Sequence, residues 1–85
     1  MRRNVPRRKA ISPEAAFGQV LRVIRRNADI SQEALGADSG YHRTYIGQLE
    51  RGEKSPSLRT LFDLSSTLDV PASVIVRKIE RLVRR

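Results

Sequence analysis

Cysteine and tryptophan are absent from this chain of 85 residues, and histidine and methionine each occur once. Without cysteine there is no disulfide framework and no thiolate metal site. A single histidine builds no histidine-based metal site. No Cys–His pair is available for nucleophilic catalysis, no Gly-rich phosphate loop occurs, and the acidic residues are scattered. An enzyme is not expected, nor a cofactor or a small-molecule ligand. No apolar run approaches the roughly 20 residues needed to span a bilayer, and the N-terminal stretch lacks the apolar centre of a signal peptide. The expectation is one small soluble domain of the cytoplasm. A chain this short buries a modest core, so self-association would add stability.

Negative charge is scarce at both ends. Residues 1–13 hold Arg2, Arg3, Arg7, Arg8 and Lys9 and no acid, and residues 71–85 hold Arg77, Lys78, Arg81, Arg84 and Arg85 against Glu80 alone. The middle, residues 14–70, is nearly balanced, with seven basic and eight acidic groups. The net charge of +8 therefore lies in the ends. Basic ends suit a polyanion, whose phosphates attract Lys and Arg and release counterions; the plainer use is solubility.

Residues 1–12 show no apolar periodicity, contain Pro6, and read as a disordered basic arm. Residues 13–85 read as one all-α domain, a compact bundle of five helices. Ser12-Pro13-Glu14 has the N-cap, first-turn proline and first-turn acid of a helix start. Ala16, Phe17, Val20, Leu21 and Ile24 follow at helical spacing, and Asn27-Ala28-Asp29 ends that helix. Helices over 32–38 and 42–50 come next, around a turn at Gly40. A loop through Gly52 and Pro56 leads to a helix capped by Ser57, with Leu58, Leu61, Phe62, Leu64 and Leu68 expected in the core. Asp69-Val70-Pro71 interrupts, and a last helix runs from about Ala72 to Val83.

The central stretch, Ser31 to Gly52, carries the chemistry. Ser31 can accept from free N–H groups at a helix start. Gly40 sits where a chain leaving a helix often needs positive φ. Tyr41, Tyr45, Ile46 and Leu49 then form one apolar helix face, with His42, Arg43, Thr44, Gly47 and Gln48 between them. A helix that buries one face and turns Arg, Thr and Gln outward can hydrogen-bond base edges. Arg pairs with two guanine acceptors, Gln with both adenine groups, and Thr donates or presses its methyl on thymine. Gly47 would leave room for a duplex, and Gln32, opening a helix, is placed for phosphate. His42 is open to three uses: local cap, phosphate contact or base reader. Tyr41 could touch phosphate through its hydroxyl, while Arg51, Lys54 and Ser55 would reach the flanking backbone and fix position without reading sequence.

These residues resemble the helix-turn-helix of the lambda-repressor/Cro-like (XRE-type) DNA-binding family. Gln32, the turn glycine Gly40, the buried pair Ile46 and Leu49, and the run Arg43 to Gly52 followed by Lys54 to Leu58 all match. The resemblance extends from about Phe17 to Ile75. It implies that Arg43, Thr44 and Gln48 lie on the groove side of a recognition helix. It also implies an ion pair between Arg25 and Glu50 that joins the first and third helices and steers Arg25 toward phosphate. Gly36 departs from the more usual alanine, at a cost to helix propensity of somewhat under about 1 kcal/mol. In size and layout the chain is similar to restriction–modification controller proteins; a phage-type regulator or an antitoxin fits the same pattern.

The last helix is apolar around more than half its circumference. Ile75, Val76, Ile79, Leu82 and Val83, with Val74, exceed the one stripe a small bundle buries. A two-fold dimer would cover the surplus; the plainer alternative is a wide core stripe with exposed aliphatics. Membrane-surface binding fits less well, since aromatic anchors are missing. The function implied is a dimeric, sequence-specific regulator of transcription on double-stranded DNA. The alternative is a protein-interaction module with DNA binding secondary.

Overall fold

The computed structural model describes residues 11–84; the expected arm lies almost wholly outside them. Five helices follow in order: α1 Pro13–Asn27, α2 Gln32–Ser39, α3 Arg43–Glu50, α4 Leu58–Leu68 and α5 Ala72–Val83. No strand occurs among the described residues, and none of their helices is long and apolar enough to cross a membrane.

Side chains start four of the helices. The hydroxyls of Ser12, Ser31 and Ser57 accept from the N–H groups of Ala15, Ala34 and Thr60, each at 3.0 Å. For α3 the cap is His42, whose Nδ1 accepts from the Thr44 N–H at 3.0 Å. Each cap satisfies one of the donors a helix start leaves free, worth about 1 kcal/mol. Only α5 begins without a side-chain cap, behind Pro71. The left-handed residues Asp29, Gly40 and Asp69 turn the chain after α1, α2 and α4.

α1 packs against α3 and α5, α2 against α3 and α4, and α4 closes on α5. The core joins Phe17, Val20 and Leu21 of α1, Leu35 of α2, Ile46 and Leu49 of α3, Leu64 and Leu68 of α4, and Ile75 of α5. Two close approaches set the spacing. A Cβ on Gly18 would lie 2.5 Å from the carbonyl oxygens of both Leu49 and Glu50, so α1 and α3 meet backbone to backbone. A Cβ on Gly36 would strike the carbonyl oxygen of Tyr41. The Gly36 carbonyl in turn accepts from the Gly40 and Tyr41 N–H groups, at 2.9 and 2.8 Å, and closes the turn. Gly36 is thus required by the tightness of this particular turn, and the small propensity loss is the lesser effect.

Two expectations for the core fail. Leu58 is 73% exposed and Phe62 55% exposed. The inward arc of α4 takes Thr60 and Ser65 instead. Thr60 is held against Ser57 by a 3.0 Å hydroxyl contact, and Ser65 returns its hydroxyl to the Phe62 carbonyl at 3.1 Å. Small hydroxyl side chains satisfied within their own helix can be buried cheaply, so hydrophobicity alone misplaced the stripe. Similarly, Ile75 is wholly buried in the core of the single chain and is not available as an expected dimer contact. Ile79 and Leu82 lean on the core, Val83 is half-buried, and Val76 is 45% exposed.

Candidate nucleic-acid interface

The N-termini of α2 and α3 face a shallow polar recess lined by Gln32, Arg43, Thr44, Gly47 and Arg51. Arg43 and Thr44, in the first turn of α3, are exposed, and Gln48 one turn later is half-buried. None of the three side chains hydrogen-bonds another described residue, so their donors and acceptors are available. Lys54 and Ser55 are exposed in the loop after α3. His42 is exposed and spends Nδ1 on the helix cap. That bond needs an unprotonated Nδ1, which places the ring hydrogen on Nε2 as a donor toward solvent.

Behind the recess lies a buried ion cluster. Glu50, 5% exposed, accepts from Arg25 Nε at 2.6 Å and Arg25 Nη2 at 3.0 Å. Gln32 Nε2 donates to Glu50 Oε1 at 3.0 Å, and Arg22 stands 3.6 Å away. Burial pushes the Glu50 pKa up. The hydrogen bonds from Arg25 and Gln32, with the charges of Arg25 and Arg22, outweigh it and hold the carboxyl below the usual glutamate value. The cluster ties α1, α2 and α3 together under the exposed face.

This geometry gives two of the expected phosphate contacts partners within the protein. Arg25 is 8% exposed, and Nη1 donates to the Ile30 carbonyl at 2.9 Å, so each of its three nitrogens has a partner inside the protein. The Tyr41 hydroxyl donates to Asp63 Oδ2 at 2.6 Å. That bond to a carboxylate raises the phenol pKa and commits the hydroxyl hydrogen to α4. Tyr41 instead braces α4 against the turn and packs its ring 5.5 Å from that of Tyr45. The space at Gly47 also has a tenant: Arg51 Nη1 lies 3.1 Å from where a Cβ would stand. Arg51 is fixed in turn by Glu53, at 2.7 Å from Nε and 3.3 Å from Nη2.

The sequence reading missed Arg22, Glu53, Asp63 and Gly18. Glu53 lies two residues from Arg51 and could have been paired by proximity. Asp63 and Gly18 act across the fold and leave no local signal.

Comparison with known proteins places this arrangement. The helix-turn-helix family profile matches residues 21–75. The chain is 42% identical over 55 residues to the control protein C.BamHI of Bacillus amyloliquefaciens, covering 64% of this chain and 68% of that one. It is 33% identical over 66 residues to the control protein C.MunI of a Mycoplasma species, covering 76% and 89%. Among solved structures, the restriction–modification controller protein C.AhdI of Aeromonas hydrophila superposes with a TM-score of 0.68 at 37% identity, over 76% of this chain and 92% of that one. Two uncharacterised regulators of Sinorhizobium fredii also match, and the chain spans 61% and 34% of their lengths. With the profile match covering well over half of its residues, the chain belongs to the XRE-type helix-turn-helix family.

Proposed function

We propose that this protein is a sequence-specific, double-stranded-DNA-binding regulator of transcription that acts as a two-fold dimer, with α3 in the major groove. The observation that carries the reading is the free polar set Arg43, Thr44 and Gln48 on the outer side of a helix whose inner side is locked into the core. Gln32, His42, Arg51, Lys54 and Ser55 surround this set and supply phosphate contacts, Gln32 with the amide hydrogen that Glu50 does not take. The controller proteins among its relatives support a role in control of restriction–modification genes. Catalysis has no part in this role, which is cytoplasmic.

Selection of bound duplex from a random pool tests the reading directly, and the enriched site then serves for variants. Arg43→Ala and Gln48→Ala should each cost about 1–3 kcal/mol on that site and much less on random duplex. Equal losses on both would remove base readout and leave a phosphate role.

The basic arm belongs to the same proposal. Deleting residues 1–11 removes five positive charges from the segment read as an arm. Thermal stability should hold, while affinity for duplex falls and its dependence on salt becomes shallower, since fewer phosphates are neutralised. An unchanged salt slope would show that the arm makes no contact with DNA.

In the proposed dimer, successive half-sites lie about 34 Å apart. Of the exposed large apolar side chains, Val23 on α1, Leu58 and Phe62 on α4 and Val76 on α5, the dimer contact proposed is Leu58, Phe62 and Val76. Phe62→Asp should yield a monomer in sedimentation without loss of fold, and site affinity should fall steeply because the second half-site no longer acts in concert. A dimer that survives the substitution would move the interface elsewhere.

A further inference from the structure

A second surface lies between α1 and α5 and contains no residue of α2 or α3. It is a groove whose apolar lining includes Val23, Ile24, Val70 and Val74, with Lys78 and Arg81 along the α5 side. Val23 is 56% exposed, while Ile24 and Val70 rest partly on the core. No acidic side chain lines the groove. Lys78 and Arg81 form no ion pair among the described residues, and Glu80, beside them in sequence, is engaged by Arg84 at 3.2 Å.

We propose that this groove docks an acid-rich amphipathic segment of a partner protein. The lining asks for apolar side chains, and the unpaired cations ask for carboxylates at one margin. The chain's own N-terminal residues do not meet that need, since residues 1–10 carry five basic groups and no acid. A second copy laying its own α5 into this groove would bring Arg77, Lys78, Arg81 and Arg84 against the same charges, and Val76, proposed for the dimer, does not line the groove. A duplex offers phosphates but nothing apolar to fill the groove. The stretch from Val74 to Leu82 spans about 12 Å of helix, so a segment of two or three helical turns suffices. Because the groove excludes the recognition helix, a docked partner and the proposed DNA face do not compete; the docking idea stands whether or not that face reads bases.

A displayed library of random 16-residue peptides, selected on the full chain, tests the proposal. Enriched peptides should be rich in Asp and Glu, with apolar residues three and four apart. Titrating one of them into isotopically labelled protein should shift the amide signals of residues 23, 24, 70, 74, 78 and 81. Lys78→Glu with Arg81→Glu should weaken the peptide at least tenfold, as should Val23→Asp, which changes an exposed position and leaves the core alone. Phosphatidylglycerol vesicles and a random duplex are run in parallel. No enrichment, enrichment of basic or neutral peptides, or shifts mapped to another face would overturn the proposal. So would vesicles or duplex moving the groove signals where the peptides do not.

Discussion

Glu50→Ala is expected to destabilise the protein by about 3–5 kcal/mol, the usual cost of breaking a buried ion pair from one side. For a domain of this size that is a fall in melting temperature of roughly 15–30 °C. The substitution leaves Arg25 buried without a carboxylate and strips Gln32 of its acceptor. The loss comes from the orphaned charge more than from the net value of the pair. The double variant Arg25→Met, Glu50→Leu should therefore be more stable than Glu50→Ala. The sign of the pH dependence follows from the same residue. Its pKa is lowered by folding, so its contribution is complete above the ordinary glutamate value of about 4.3. It disappears as pH falls through the lower, folded value. The variant should lack that part of the acid transition. If single and double variants melt alike, with the acid limb unchanged, Glu50 does not hold the three helices together.

Gly18→Ala should be nearly as damaging, although alanine is the better helix former by about 1 kcal/mol. The new methyl meets two backbone carbonyl oxygens at 2.5 Å, and neither can rotate away. Overpacking of this kind costs about 1–3 kcal/mol when side chains can adjust; against backbone the upper end or more is expected. Relief requires α3 to move off α1 at its C-terminal end, which also displaces Gln48 and Arg51. Denaturant midpoint and duplex affinity should therefore fall together. An unchanged midpoint would mean that α1 and α3 have slack the structure does not show.

Much of this molecule was legible because its signals are local. Ser12, Ser31 and Ser57 each stand directly before an apolar series, and each caps the helix expected there. Gly40 marks the turn by its own stereochemistry, with φ of 88°. Arg25 and Glu50 were paired through the resemblance, since no periodicity links residues 25 positions apart. What could not be read depends on where helices cross. Gly18 looks like any small residue in α1 until α3 is laid against it. Tyr41 presents a free hydroxyl on paper, and only the packing of α4 supplies Asp63. The flank of α4 was misjudged because Leu58 and Phe62 are the larger apolar groups, whereas shape and hydroxyl pairing placed Thr60 and Ser65 inside.

The side chains proposed to read bases, Arg43, Thr44 and Gln48, contribute no hydrogen bond to the described fold, while the groups beneath them carry the structural load. On the proposed reading, stability and target choice are written in different residues of the same eight-residue helix. Selection can exchange the three outer side chains with little penalty to folding, so a lineage built on this scaffold can drift to new operators quickly. The cluster around Glu50 is expected to drift less, since loss of one partner leaves a buried charge unpaired. Such a division makes the outer positions of α3 a natural place for closely similar chains to diverge in target while keeping one backbone.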